Sequence, residues 1–519
     1  MTATAAPMPR DFVQPDDPAH LMDRLCALEP ARDRFVEVIR PGTRLRLSHT
    51  EVSTLAGRAA ARLARLGVRA GDAVGICAPN GLAWIVLDLA CLRLGAVVAG
   101  FEPDKFEASA ALAARYGLAA LFATTGAEGT LDPDAFLHAL ETEEVGAAAP
   151  PWASRRPEDD AALKFTSGST GEAKGLAASR ASIGAGIHAT QLLFDHGPAD
   201  RLFVFLPLSL LQQRYWIYTA LLYGCDLVVT TPTLALGTLA ESAPTVVMGV
   251  PAFFESLRGL IEAEAALTGC DHRTAARTVT GARIRYLWTG SAPIRRETLD
   301  FLHEACRLPI YEGYGMNETC IVTKNHPGAH RPGSAGRPVW GKEVWIDENG
   351  VVFVRSRHPV GSAYRFAPEG ASERIFRGED VVCTGDLGRI DADGFLWILG
   401  RSDDVIVLED GRNVMGRPIE EAALALPEIA QCVLAGSGRP HLLALIALAE
   451  GADPEEARRR VRALRVPHGA RIGDAIVVPP FTEENGLLTS QGKPRRPSIL
   501  ARHREAIDAA YGDETHGRH

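Results

Sequence analysis

Between Ala73 and Thr289, short apolar runs alternate with longer stretches of helical spacing. Ala73 to Ala78 reads as a strand, Pro79-Asn80-Gly81 as a turn, and the segment from Leu82 as a helix; a second strand follows at Ala96 to Gly100. Strand signals recur at Leu121 to Ala123, Arg201 to Phe205, Leu227 to Thr230, Thr245 to Gly249 and Ile284 to Thr289. Strands without polar alternation are covered on both faces, so the rhythm predicts stacked α/β layers around mostly parallel sheets.

Outside this stretch the texture differs. Residues 1 to about 45 read as Pro- and Asp-rich at first and then helix-like, and a helix is expected over Leu47 to Leu66 with Ser48 and Thr50 as candidate caps. Thr142 to Asp160, rich in Ala, Pro and charge, reads as a loop. After residue 330 the strands become short and Gly-separated, with turns at Glu348-Asn349-Gly350 and Asp391 to Gly394 that predict antiparallel hairpins. Beyond Arg401 a new α+β unit begins, with helices near Pro418 to Leu426 and Pro454 to Leu464. A chain of 519 residues is too long for one core, so several domains are expected.

Composition excludes several classes. The formal net charge is −9, which argues against nucleic acid as the main partner. The nine cysteines include no C-x-x-C pair, which disfavours structural zinc and a disulfide framework and fits a reducing cytoplasm. The N-terminus lacks the apolar core of a secretory signal, and the longest apolar stretch, near Ala83 to Gly100, is broken by Asp88 and Arg93, so no integral membrane segment is expected.

The sharpest motif follows the strand signal at Ala162 to Phe165. Residues Thr166-Ser167-Gly168-Ser169-Thr170-Gly171-Glu172-Ala173-Lys174-Gly175 hold four hydroxyls and three glycines. Such a stretch makes a poor core and a good phosphate cradle: glycines let backbone N–H groups converge on an anion, and hydroxyls add donors. Lys174 supplies a point charge. The spacing is not that of a Walker-A loop, and a flexible Gly/Ser linker is the alternative.

Further motifs follow in order: Thr289-Gly290-Ser291-Ala292-Pro293; Tyr311-Glu312-Gly313-Tyr314-Gly315-Met316-Asn317-Glu318-Thr319; Thr384-Gly385-Asp386-Leu387-Gly388; Gly400-Arg401-Ser402-Asp403-Asp404; and Gln491-Gly492-Lys493-Pro494. The series resembles the adenylate-forming (AMP-binding) enzymes over nearly the whole chain, and is most similar to long-chain acyl-CoA synthetases. The resemblance implies an α/β fold with a large multi-subdomain N-terminal domain over 1–401, made of two α/β subdomains and a β-rich one, and a small mobile α+β C-terminal domain over 402–519.

It also implies roles. Thr166 to Gly171 and Lys174 would hold the ATP phosphates; Gly290 to Pro293 and Glu312, Gly313, Tyr314 and Gly315 would wrap the adenine, with the tyrosine ring against its face. Glu318, aided by Thr166, would hold Mg²⁺ on the phosphates. Asp386 would accept the ribose hydroxyls, with Arg401 nearby, and Asp403 would be the hinge. Lys493 would bridge the substrate carboxylate and the α-phosphate, relieving their repulsion in the adenylation step.

Departures from the family pattern are Asn317 in place of threonine, its amide still expected to bind ATP by donating to a phosphate oxygen, Leu210 in place of a histidine near the acyl pocket, Ala173 in place of proline, and Gly416-Arg417-Pro418-Ile419-Glu420 after the hinge. No Phe-Asp-x-Ser segment lies between Phe203 and Tyr218, which disfavours an α-amino acid. The expected activity is ATP- and Mg²⁺-dependent conversion of a fatty-acid-like or other hydrophobic carboxylic acid to acyl-AMP, then acyl transfer to CoA. The alternatives are capture by a carrier-protein pantetheine, an amine or another nucleophile, and a non-catalytic ATP-binding regulator.

Overall fold

The computed structural model describes residues 18–27, 29–142, 149–167, 173–488 and 494–512. Its largest element is a nine-stranded sheet. In spatial order it runs Arg337–Pro338, Cys320–Lys324, Ile310–Met316, Tyr286–Thr289, Val246–Gly249, Arg201–Val204, Asp226–Val229, Phe35–Arg40, Thr43–Ser48. The six strands from Ile310–Met316 to Phe35–Arg40 pair in parallel, and the pairs at both ends are antiparallel. Val246–Gly249 and Tyr286–Thr289 are buried throughout, as strands covered on both faces must be.

A second sheet orders Leu118–Ala123, Ala73–Cys77, Val97–Gly100, Asp160–Ser167 and Ala173–Ser179. Its first four strands are parallel and the last pair is antiparallel. Helix Leu82–Leu94 is buried on nearly every side, so the apolar stretch there belongs to the core. Its one acidic residue, Asp88, is matched inside the protein by Arg214 of helix Leu211–Tyr223, Nη1 to Oδ1 2.7 Å. Among the described residues no helix is long and apolar enough to cross a membrane.

The N-terminal region differs from expectation. Among the described residues there, helix covers Pro18–His20 and Leu21–Ala27, while Phe35–Arg40 and Thr43–Ser48 form an antiparallel hairpin at the sheet edge. β-branched and apolar residues flank Pro41-Gly42, a turn pair, and this pattern overrides the helical spacing. The next helix is His49–Arg65. Ser48 caps it in a full capping box with Glu51, whereas Thr50 lies inside the helix and donates to the Pro30 carbonyl instead.

Strands Lys342–Ile346, Val351–Ser356, Val381–Ile390 and Leu396–Arg401 form a four-stranded sheet in that order. Both expected turns are present. Asp347 N–H donates to Val351 O and Asp391 N–H to Phe395 O, and Gly350 takes φ +81°, which a side chain would disfavour.

The chain divides into two compact units. One holds the described residues through Trp345 with Phe353–Thr384 and Ile390–Trp397; the other holds Ile346–Val352, Gly385–Arg389 and the described residues from Ile398 onward. In the second unit, helices Gly416–Leu424 and Pro454–Arg462 pack on a three-stranded sheet of Ile429–Ala435, Leu442–Leu448 and Ile472–Val477. Arg496 ties this unit together, donating to both Glu420 carboxylate oxygens and to the Leu434 carbonyl.

Candidate active site

The hydroxyl- and glycine-rich motif connects two antiparallel strands. Thr166 pairs with Lys174 and Ser167 with Ala173, so the strand register brings the two ends of the loop together. Gly168, Ser169, Thr170 and Gly171 lie outside the described residues, and Thr166 and Ser167 are placed by their backbone alone. The Lys174 ammonium lies over the Tyr364 ring, 5.2 Å from its centroid.

The hydroxyl of Tyr364 donates to the carboxylate of Glu318. Glu318 is 6% exposed, at a turn closed by Thr319 N–H to Met316 O and by Met316 N–H to Thr319 Oγ1. Burial and then the Glu318 charge push the Tyr364 hydroxyl far above its ordinary range, so it stays a donor at neutral pH. No group of three or more His, Cys, Asp or Glu side chains among the described residues could hold a metal by itself. A single, oriented carboxylate suits Mg²⁺, which usually keeps several waters and shares its site with substrate phosphates. Asn317 beside it is exposed.

Two parallel strands carry the next motifs. Thr289 pairs with Glu312, which sets Gly290 to Pro293 against Glu312 to Gly315. Ser291 adopts φ +69°, an uncommon conformation for a residue with a side chain and one that clusters at functional sites. Gly315 is required by close packing: a Cβ there would stand 2.0 Å from the Cys320 carbonyl oxygen. Tyr314 is half-buried on the same strand, next to a bulge between Tyr314 and Gly315. The Glu312 carboxylate accepts from Gly333 N–H at 2.6 Å, and burial raises it to about 7.

Behind these segments stands Lys324, which the motif pattern does not single out. It is fully buried, donates to Tyr311 O at 2.7 Å and to Thr289 O at 3.4 Å, and places its ammonium 3.6 Å from the centre of the Trp288 ring. Burial drives its pKa well below the ordinary value, opposed by the Glu312 charge. The visible signal is a lone lysine closing the β-branched run Ile321-Val322-Thr323.

A small, largely apolar cavity lies between helices Arg180–Phe194 and Leu211–Tyr223, lined by Ile187, Thr190, Tyr215, Trp216, Trp288 and Ile321. Leu210 stands at the N-cap of the second helix.

The second unit holds the remaining described candidates. Arg401 Nη1 lies 3.3 Å from Asp386 Oδ1, and Arg401 Nε donates to Asp403 Oδ1 at 3.1 Å. Asp403 is exposed within the single turn Ser402–Asp404, directly after strand Leu396–Arg401. Lys493 lies outside the described residues.

Residues 24–359 match the family described as AMP-binding enzyme, and residues 403–515 match the AMP-binding enzyme C-terminal domain. The long-chain-fatty-acid–CoA ligase FadD15 of Mycobacterium bovis is 29% identical, over 88% of this chain and 90% of its own. The long-chain-fatty-acid–CoA ligase ACSBG1 of Mus musculus is 30% identical over 58% of this chain and 49% of its own. Among solved structures, ATP-bound MatB from Rhodopseudomonas palustris superimposes with a TM-score of 0.76 at 22% identity, over 94% of this chain and 99% of that one. MenE from Bacillus subtilis, the O-succinylbenzoate coenzyme A synthetase, in complex with AMP, gives 0.75 at 21% identity, over 92% and 97%. Strand order, motif order and both matched segments lead to one assignment: the chain belongs to the AMP-binding enzyme family.

Proposed function

We propose that the chain activates a carboxylic acid of the fatty-acid class with ATP and passes the acyl group to coenzyme A. The observation that carries this reading is the buried Glu318 carboxylate, held by Tyr364 beside the Lys174 ammonium. The relatives named as long-chain-fatty-acid–CoA ligases support the choice of acid and acceptor. The nine free cysteines support a cytoplasmic setting.

In the first step a carboxylate oxygen of the acid attacks the α-phosphorus of ATP, and pyrophosphate leaves. Two anions meet here, so the protein must supply positive charge and oriented donors. Lys174 and the amides of the 166–175 loop would hold the β- and γ-phosphates. Lys493 would stand between the acid and the α-phosphate. Glu318 would hold Mg²⁺ against the phosphate oxygens, where the ion neutralises charge. Gly290 to Pro293, Glu312, Gly313 and Gly315 would wrap the adenine, with Tyr314 against its face, and Asp386 with Arg401 would hold the ribose. In the second step the thiol sulfur attacks the acyl carbon and AMP leaves. Residues 402–519 would move as one domain about Asp403 between the steps.

The test is acid-dependent exchange of labelled pyrophosphate into ATP, run on a panel of fatty, aryl and short acids with and without Mg²⁺. Exchange with fatty acids followed by CoA consumption is expected, and consumption of a pantetheine-loaded carrier protein instead would replace the acceptor. Lys493→Ala should slow exchange by several orders of magnitude while ATP binding stays largely intact, because the lysine acts on the transition state. No exchange with any acid would end the enzyme assignment.

A further inference from the structure

Lys324 closes strand Cys320–Lys324 and is fully buried, yet among the described residues no carboxylate lies within ion-pair distance of its amine. The Glu312 carboxylate acts on it from further away and bonds to Gly333 N–H instead, at 2.6 Å. The Lys324 backbone is paired with Gly313, and its side chain runs back across that glycine. A Cβ at Gly313 would stand 2.7 Å from Lys324 Cδ and 3.1 Å from Nζ. The amine ends between two parallel strands, where each enters a candidate adenine segment. It donates to Tyr311 O at 2.7 Å, just before Glu312, and to Thr289 O at 3.4 Å, just before Gly290. The Trp288 ring centre lies 3.6 Å from it. Two donors serve two carbonyls, so these contacts stand whether the amine is protonated or neutral. The next residue continues the tie, Asn325 N–H donating to Glu312 O at 2.9 Å. The two segments approach closely: a Cβ at Gly290 would stand 3.3 Å from Gly313 O.

Taking an amine out of water with no carboxylate beside it is costly, and an apolar side chain of similar length would avoid that cost. An apolar side chain cannot hold carbonyls of two different strands at one point. The Lys324 contacts therefore fix a distance more than they add stability. We infer that Lys324 is a positioning residue for the nucleotide: one amine sets the spacing of Gly290–Pro293 against Glu312–Gly315, and with it the width of the slot for the base. This rests on the proposed function, in which these two segments wrap the adenine.

Lys324→Met nearly keeps the stem and removes every donor; Lys324→Gln keeps a donor on a shorter stem. Each is compared with the native protein in urea unfolding, in direct binding of ATP and of inosine triphosphate, and in pyrophosphate exchange. Inosine triphosphate carries an oxo group where adenine has its amino group. For Lys324→Met the urea midpoint should be unchanged or higher. A misplaced slot loses the contacts that tell bases apart, so the Kd and half-saturating concentration of ATP should rise about tenfold and the preference for ATP over inosine triphosphate should shrink about tenfold, with exchange kcat within about threefold of native. Lys324→Gln should fall between the two. A purely structural role would lower the midpoint and the active fraction but leave the preference ratio where it was. Native-like binding of both nucleotides by Lys324→Met overturns the inference, as does a lowered midpoint with an unchanged ratio. Should Lys324→Met fail to fold, a native ratio in Lys324→Gln overturns it equally. A native protein that binds ATP but exchanges with no acid fails the proposed function, and the binding ratio still decides the role of Lys324. A native protein that binds neither nucleotide ends both.

Discussion

Tyr364 and Glu318, 46 residues apart in sequence, share one hydrogen bond in which the phenol donates and the carboxylate accepts. The same ring carries Lys174 above its face, so one aromatic side chain orients a carboxylate and contacts a cation. Tyr364→Phe keeps the ring and removes the donor. A hydrogen bond to a charged group contributes about 1.5–3 kcal/mol. We expect exchange to fall about tenfold and the half-saturating Mg²⁺ concentration to rise several-fold, with ATP binding at saturating Mg²⁺ little changed. An Mg²⁺ titration of the exchange rate checks this; identical curves would show that the contact has no part in holding the metal.

Asp88 and Arg214 form a stability element away from the site. Both side chains are 1% exposed, Tyr218 donates to the second carboxylate oxygen at 2.7 Å, and Arg214 Nε and Nη2 have no partner among the described residues. Removing one member of a buried pair strands the other, which costs about 3–5 kcal/mol. Asp88→Ala should therefore lower the urea midpoint strongly. The double variant Asp88→Leu with Arg214→Met should recover much of the loss, because it removes both charges. A single variant as stable as the native protein would show that water reaches the arginine.

Two buried histidines set an acid limit. Burial lowers His196, whose Nε2 lies 2.6 Å from Tyr286 Oη, to about 3, and lowers His49 to about 4. The unfolded chain binds these protons near the ordinary value of 6.5, while the folded chain resists them. Stability is thus fully present above pH 6.5 and is lost as pH falls towards 4 and then 3. At pH 5 the loss is about 2 kcal/mol per histidine. Urea midpoints at pH 7 and pH 5 should differ accordingly, and His196→Gln should shrink the difference by about half. A pH-independent midpoint would mean that these imidazoles are charged in the folded protein.

Much of the fold follows from short-range pattern. Apolar runs such as Val246–Gly249 are strands because nothing polar interrupts them, and Asp391 to Gly394 turns because its residues favour turning. The N-terminal hairpin carries such a signal too, the Pro41-Gly42 turn between Phe35–Arg40 and Thr43–Ser48, but helical spacing competes with it locally, and pairing of Phe35–Arg40 with Asp226–Val229 adds a contact no local pattern shows. The site divides in the same way. The motif around Tyr314 points to Glu318, but nothing in it points to Tyr364. Lys164 and Cys320 are 156 positions apart and meet only because the fold brings them together. Lys164, between Leu163 and Phe165, and Lys324, closing the β-branched run Ile321-Val322-Thr323, are the anomalies a reader of the sequence could have stopped at. The hydroxyl- and glycine-rich stretch at 168–172 and Lys493 lie outside the described residues.

Asp403 offers the sharpest test of a two-step mechanism. It sits in the turn Ser402–Asp404 that follows strand Leu396–Arg401, and its carboxylate accepts from the Arg401 guanidinium. A residue that acts as a hinge must change its backbone dihedrals between the two half-reactions. Proline fixes φ near −65° and also restricts the residue before it, here Ser402. Asp403→Pro should therefore keep acid-dependent pyrophosphate exchange and lose acyl transfer to the thiol. Asp403→Ala, which removes the contact with Arg401 but leaves the backbone free, should retain both steps to within a few-fold. The two half-reactions are measured separately on one preparation, with thiol transfer started from synthetic acyl-AMP so that it does not depend on the first step. Loss of both in Asp403→Pro, with both kept in Asp403→Ala, would mean that proline has disrupted the turn itself. If thiol transfer survives proline, the chain does not rotate at this residue, and the pivot must be sought elsewhere between Arg401 and Val405.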